Sequence, residues 1–326
     1  MDDVMVSIIV ASYNQERYIE ETLRSLVGQD TRYRYEILVG DDASTDATPR
    51  IINELAQEYP DKIIPVLREK NLGATKNGYD LLMRSRGKYL AGCDGDDCWC
   101  DDTRLQRQVD FLEENPQYAG ICGRVKLIDD DGNLLPMDTM GKSSFFHCEK
   151  EEFTLKDFEK WLMPGHNSAM MQRMDMERIR KSRDLLLAHP IVGDRTGLLY
   201  CLFQGPIRCT NDVVSCYRIV GNEQHFMAQY FTKNLRDQDV ALMNIIEKFA
   251  RERENIILDL EPIKKERFIA AVCVWLRAMN KKNWCVIKNI ILESKNMIVY
   301  ILLFLKVVVL KQYYWRIKKE DIRIEH

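Results

Sequence analysis

The 326-residue chain predicts an α/β protein built on a mostly parallel sheet. Three observations carry that expectation. Apolar, β-branched runs alternate with segments whose apolar residues return at helical spacing, and strand-helix-strand order implies parallel pairing. The runs are apolar nearly throughout, Val4 to Ala11 being the clearest, as in strands covered on both faces. Several end abruptly in polar or acidic residues, which places those residues at one edge of the sheet.

The first strand stops at Ser12-Tyr13-Asn14, and the helix after it carries Ile19, Leu23, Leu26 and Val27 on one face. Tyr35 to Gly40 is a second strand ending in Asp41-Asp42. Ser44 or Asp46 then caps a helix whose apolar face is Ile51, Ile52 and Leu55, with Pro49 tolerated in its first turn. Ile63 to Leu67 is a third strand. Asn71-Leu72-Gly73 turns into a helix bearing Leu81, Leu82 and Met83, which Arg86-Gly87 closes. Lys88 to Gly92 is the fourth strand, and it runs into Asp94, Asp96 and Asp97. Thr103 to Glu114 reads as a helix, Gly120 to Ile128 as a strand, and Asp129 to Asn133 as the turn of a hairpin. Phe145 to Lys160 is weakly patterned. His166 to Met171 is expected to be a strand, with His166 packed or touching an acceptor, and Thr196 to Phe203 a helix that Asp194 is placed to cap.

Composition narrows the function classes. A net charge of -3 gives no support to a nucleic-acid partner. Ten cysteines form no Cys-x-x-Cys pair, and Cys93, Cys98 and Cys100 have no histidine at zinc-site spacing, so they read as reduced thiols of an intracellular protein. The N-terminus enters a strand without the basic and apolar regions of a signal peptide.

In open parallel sheets, ligands sit beyond the carboxyl ends of the strands. Ser12-Tyr13-Asn14, Asp41-Asp42 and Asp94 to Asp97 should therefore share one crevice. Carboxylates this close repel unless a cation neutralises them, and oxygen ligands on a short turn suit Mg2+ or Mn2+ shared with substrate phosphates. No Gly-x-Gly-x-x-Gly follows the first strand and no Walker A sequence occurs.

The ordered set VSIIVASYN from Val6, EILVGDDASTD from Glu36, Asn71-Leu72-Gly73, Gly87-Lys88-Tyr89-Leu90 into Asp94-Gly95-Asp96-Asp97, Gly193-Asp194 and Tyr217-Arg218 resembles the family 2 glycosyltransferases. It covers about residues 4 to 225. The resemblance implies a GT-A fold and a metal-dependent, inverting transfer from a nucleotide sugar, foremost a UDP-sugar, to a glycan or lipid-linked acceptor. By it, Ala11, Tyr13 and Asp42 line the base and ribose, and Asn14 and Asp94 share in holding the nucleotide. Asp96 and Asp97 bind Mg2+ or Mn2+, and Asp194 is the catalytic base. Which pair of Asp94, Asp96 and Asp97 holds the metal stays open, with Asp96 the first choice. The sequence departs from many relatives at Gly40, at Ala43 and at Cys98-Trp99-Cys100. A sugar-nucleotide nucleotidyltransferase is the first rival, although no Gly-rich basic loop follows the first strand. A non-catalytic carbohydrate-binding or scaffold protein is the second.

Residues 1 to 225 are thus expected to form the catalytic domain, and 226 to 326 a helical extension. Asn234 to Arg251 and Glu266 to Met279 read as amphipathic helices. From Lys281 to Arg323, ten basic residues stand against three acidic ones, a net +7, around the apolar run Met297 to Leu305. That run is short for a span and suits a helix at a membrane surface, or one packed against the catalytic domain or a second copy of the chain. The expected location is cytoplasmic, peripheral to the inner face of the membrane.

Overall fold

A computed structural model describes residues 4–137, 150–189, 193–220 and 235–324, with side chains described as far as residue 311. The start of the weakly patterned stretch at Phe145, residues 190–192 ahead of Asp194, and the side chains of Tyr313-Tyr314-Trp315 lie outside the described residues. The chain divides into two units, residues 1–221 and 222–326.

Among the described residues, the first unit holds a ten-stranded sheet in the order β3-β2-β1-β4-β9-β6-β10-β5, with β7 paired to β6 and β8 to β10. Its elements in chain order are β1 (Val6–Ser12), α1 (Ile19–Val27), β2 (Tyr35–Asp41), α2 (Thr48–Glu58), β3 (Ile63–Leu67), α3 (Ala74–Arg84), β4 (Tyr89–Asp94), β5 (Cys98–Trp99), α4 (Arg104–Glu114), β6 (Gly120–Ile128), β7 (Leu134–Leu135) and β8 (Glu152–Phe153). They continue with α5 (Leu155–Phe158), β9 (Met170–Arg173), α6 (Met176–Lys181), α7 (Arg183–Leu186), α8 (Asp194–Leu202) and β10 (Ile207–Arg218). The long pairings β1 with β2 and β4, β2 with β3, and β6 with β10 are parallel, and β9 enters antiparallel between β4 and β6.

Burial explains why these strands form. Val6, Ile8 and Val10 of β1 and Ile37 and Val39 of β2 are sealed from solvent, packed with Ile19, Leu23 and Leu26 of α1, Ile52 and Leu55 of α2, and Leu105, Val109 and Leu112 of α4. A smaller cluster of Ile179, Leu186 and Tyr200 receives Leu82 and Met83 from α3. The expected strand from His166 proves different. Residues Asn167–Ala169 form a 3-10 turn because the Ser168 N–H folds back onto His166 Nδ1, and β9 starts only at Met170. The acidic run from Asp129 is the expected hairpin turn, closed by Asp129 N–H to the Asn133 carbonyl at 2.9 Å.

The second unit is helical: α9 (Arg236–Arg253), α10 (Glu261–Ala278), α11 (Lys281–Glu293) and α12 (Met297–Ile324). Its core is Val240, Phe268, Val272, Ile287, Ile290 and Tyr300. Glu247 and Lys264, both buried, pair at 3.0 Å inside it. Helix α12 buries Tyr300 and packs Leu303, Phe304 and Val307 on this core, while Ile298, Leu302, Leu305 and Val309 stay exposed along the opposite stripe. Among the described residues, no helix is long and apolar enough to cross a membrane.

Candidate active site

The carboxyl ends of β1, β2 and β4 lie side by side: Ser12 is in register with Asp41, and Ala11 with Asp94. The loops leaving β1 and β2 are knitted together. Asn14 donates its N–H to Ser44 Oγ at 2.8 Å and accepts the Thr45 N–H on Oδ1 at 2.8 Å, so its side chain is used to join the loops. Both Asn14 and Ala43 sit at positive φ, 53° and 63°. Tyr13 stands exposed between these joints.

Asp42 is buried, and its carboxylate accepts two backbone N–H groups, from Leu72 at 2.7 Å and Gly73 at 2.9 Å. It therefore shapes the Asn71-Leu72-Gly73 turn ahead of α3. Ala11 lies at the last full pairing of β1 with β4 and takes the Gly95 N–H on its carbonyl at 3.1 Å.

The acidic turn is held from three sides. Thr22 on α1 directs its hydroxyl at the Gly95 and Asp97 carbonyls, 3.0 and 2.6 Å away. Gly95 leaves room for Gln15, since a Cβ there would come within 2.1 Å of Gln15 Oε1. Arg218, buried at the end of β10, donates its backbone N–H to Asp97 Oδ1 at 3.0 Å. Its guanidinium reaches the carbonyls of Asp96 at 2.8 Å and Asp129 at 3.0 Å and the carboxylate of Glu21 at 2.6 Å.

Asp94, Asp97 and His166 each offer a ligand atom within 4.8 Å of the others. Asp97 Oδ2 is buried without a hydrogen bond and stands 3.5 Å from His166 Nδ1. His166 is fixed by Ser168 Oγ at 2.7 Å and by the Tyr217 ring, whose centroid is 4.3 Å from its own. Desolvation, then the charges of Asp96 and Asp194, push the Asp94 carboxyl up to about 7, although its exposed face moderates the first of these causes. Desolvation and then Asp96 and Asp94 push Asp97 well above the carboxylate range. Excess negative charge around an orphaned carboxylate oxygen fits a divalent cation, and two carboxylates with an imidazole are a donor set for a first-row ion.

Asp96 lies outside that three-residue set and acts on it through its charge. Asp194 opens α8, where its Oδ1 accepts the Arg195 N–H at 2.9 Å, and the helix's N-cap residue is Gly193. Burial and then Asp97, Asp94, Asp96 and Asp194 raise the Tyr217 hydroxyl, which places all four carboxylates within electrostatic reach of one phenol. Sequence reasoning missed the approach of His166 to Asp97. Its only signal was a His-x-Ser spacing, whose meaning depends on a turn that the sequence had suggested was a strand.

A family model described as Glycosyl transferase family 2 matches residues 7–180, more than half of the chain. The chain belongs to that family. An uncharacterised protein of Mycobacterium tuberculosis is 46% identical over 127 residues, 39% of this chain and 37% of the relative, so the match spans little more than a third of that protein's length. TuaG of Bacillus subtilis, named for teichuronic acid biosynthesis, is 32% identical over 186 residues, 56% of this chain and 69% of TuaG. The solved structure of residues 1–349 of S. aureus TarS superposes with a TM-score of 0.51 at 19% identity, covering 87% of this chain and 83% of that fragment. The sheet and its flanking helices are thus the GT-A fold of this glycosyltransferase family.

Proposed function

We propose that this glycosyltransferase is metal-dependent and inverting, and moves a sugar from a nucleotide sugar to a hydroxyl of a glycan or lipid-linked acceptor. The observation that carries the reading is the buried Asp97 Oδ2, 3.5 Å from His166 Nδ1 beside Asp94. Asp94, Asp97 and His166 would hold Mg2+ or Mn2+, with Asp96 adding charge beside them. When bound, the ion supplies Lewis-acid stabilisation to the departing nucleoside diphosphate. Ala11, Tyr13, Asn14 and the loop that Asp42 shapes would line the nucleotide. UDP-GlcNAc, the ligand solved with TarS, is the first donor to test.

A sugar hydroxyl is a poor nucleophile near neutral pH, so a carboxylate must accept its proton as it attacks the anomeric carbon. Asp194 is the proposed base, with the Arg195 N–H orienting its carboxylate. Attack opposite the leaving group inverts the anomeric centre and needs no covalent intermediate. Asp194→Asn should keep Mn2+-dependent donor affinity in calorimetry and lose transfer by at least about a hundredfold. Turnover near wild type would remove Asp194 from the mechanism.

Residues 226–326 are proposed to place the enzyme peripherally at a cytoplasmic membrane face. The exposed stripe of Ile298, Leu302, Leu305 and Val309, flanked by Lys306 within the basic tail, supports this. Flotation with anionic but not neutral liposomes is expected. Concentration-dependent dimerisation without liposome binding would instead assign the stripe to a second copy.

A further inference from the structure

Cys98 and Cys216 are register partners on β5 and β10, both buried and packed with Ile128. Cys100, two residues past Cys98, falls on the same face and is exposed. The Cys100 N–H donates to the Val214 carbonyl at 3.3 Å, so by alternation Cys98 and Cys216 form a hydrogen-bonded pair with Cα atoms about 5.5 Å apart. A disulfide spans that distance. The Cys98 thiol donates to Glu21 Oε1 at 3.6 Å and the Cys100 thiol to the Val213 carbonyl at 3.7 Å, while the Cys216 thiol hydrogen-bonds both sulfurs. Three thiols on one ladder exceed what packing requires, and nothing in the glycosyl-transfer chemistry uses them.

We propose that Cys98, Cys100 and Cys216 form a peroxide-reactive site that ends as a Cys98–Cys216 disulfide. The Cys100 thiolate attacks one oxygen of hydrogen peroxide, the O–O bond breaks, and the departing hydroxide takes a proton to leave as water. The Cys216 thiol, which its hydrogen bonds to the other two sulfurs keep protonated, attacks the resulting sulfenic sulfur; its proton passes to the departing hydroxide as the S–O bond breaks, and a second water leaves. The Cys100–Cys216 bond so formed joins diagonal neighbours about 7–8 Å apart, beyond relaxed disulfide geometry. Cys98 then attacks Cys216 and releases the Cys100 thiolate. In sum, two thiols give up two electrons and two protons, and one peroxide becomes two waters.

The Cys100 environment favours the first step. A hydrogen bond from Cys216, helped by the charges of Lys126 and Arg104, outweighs burial and Asp101 and brings its thiol down to about 7. The product would bond the residue after Asp97 to β10 two positions before Arg218, cross-linking the acidic turn to the strand that holds it.

The test is independent of donor, acceptor or metal. The full chain is treated with hydrogen peroxide, alkylated and mapped by peptide mass spectrometry. A Cys98–Cys216 link reversed by dithiothreitol is expected, forming at least tenfold more slowly in Cys100→Ser. In Cys216→Ser the reaction should stop at a Cys100 sulfenic acid trapped by dimedone. Cys216 remaining fully alkylatable in the wild type after Cys100 is oxidised overturns the proposal. So does a link that forms in Cys100→Ser at the wild-type rate. The wild-type map decides even if the Cys216 variant fails to fold.

Discussion

Ala43 holds a left-handed backbone at φ 63°. The conformation costs an L-residue about 1–2 kcal/mol, while glycine loses about 0.4–1 kcal/mol more chain entropy on folding. Ala43→Gly should therefore stabilise the protein by about 0.5 kcal/mol, read as a higher midpoint in urea. The glycine at position 40 has a matching cause. A Cβ there would meet Asn77 Oδ1 at 2.5 Å, and the space is filled by the Asn77 amide donating to the Gly40 carbonyl at 2.8 Å. Three carboxylates in four positions pointed to a cation from the sequence alone. Which of them faces the others could not be read there, because Asp97 is turned inward by Arg218, 121 residues further on. Asp97→Asn should abolish the rise in melting temperature that Mn2+ gives the wild type, without unfolding the protein, since it removes one of several repelling charges. An undiminished Mn2+ shift in that variant would take Asp97 out of the metal set.

At the scale of elements, β1, β2, β4 and β6 were legible because strands buried on both faces must be apolar almost throughout, and β3, an edge strand that buries only Ile63, was legible as a short apolar run. β10 was not legible. Its central residues Thr210, Asn211 and Asp212 are polar, and its register with β6 shifts on either side of Val213, so neither a run nor an alternation marks it. Helix α11 escaped notice because α10 ends without glycine or proline, at a left-handed Met279, and Asn280 caps the next helix through the Asn283 N–H at 2.9 Å. β10 ends in the residue that fastens the acidic turn. Arg218→Lys keeps the charge but loses the planar fork that spans Asp96, Asp129 and Glu21. It should cost about 2–3 kcal/mol in thermal unfolding, as charge-assisted bonds to buried carbonyls go unmade, and weaken Mn2+ binding in parallel. Loss of stability with unchanged Mn2+ affinity would make Arg218 a purely structural residue.

For the molecule as a whole, acid sensitivity is built into the buried ion pair of the helical unit. In the helical unit, burial by itself would raise the Glu247 carboxyl, but hydrogen bonds from Lys295 and Lys264 overcome it and hold it below the usual range. A depressed carboxylate contributes stability that is complete above its unfolded value, about 4.3, and lost as pH falls through the lower folded value. The full chain should therefore lose helical signal at a lower temperature as pH drops below about 4, and Glu247→Gln should flatten that dependence. At neutral pH the same variant should be about 3 kcal/mol less stable, because Lys264 stays buried without its counter-ion. The reach of Arg218 also bears on how the protein is made. Asp97 is synthesised 121 residues before the amide that turns it inward, and Glu21 197 residues before the guanidinium it pairs with. At roughly 5–20 residues per second, the acidic turn waits some 6–24 s for its clasp. A nascent chain that has reached residue 180 already carries the whole span recognised by the family model, yet it has no Arg218 with which to assemble the cluster.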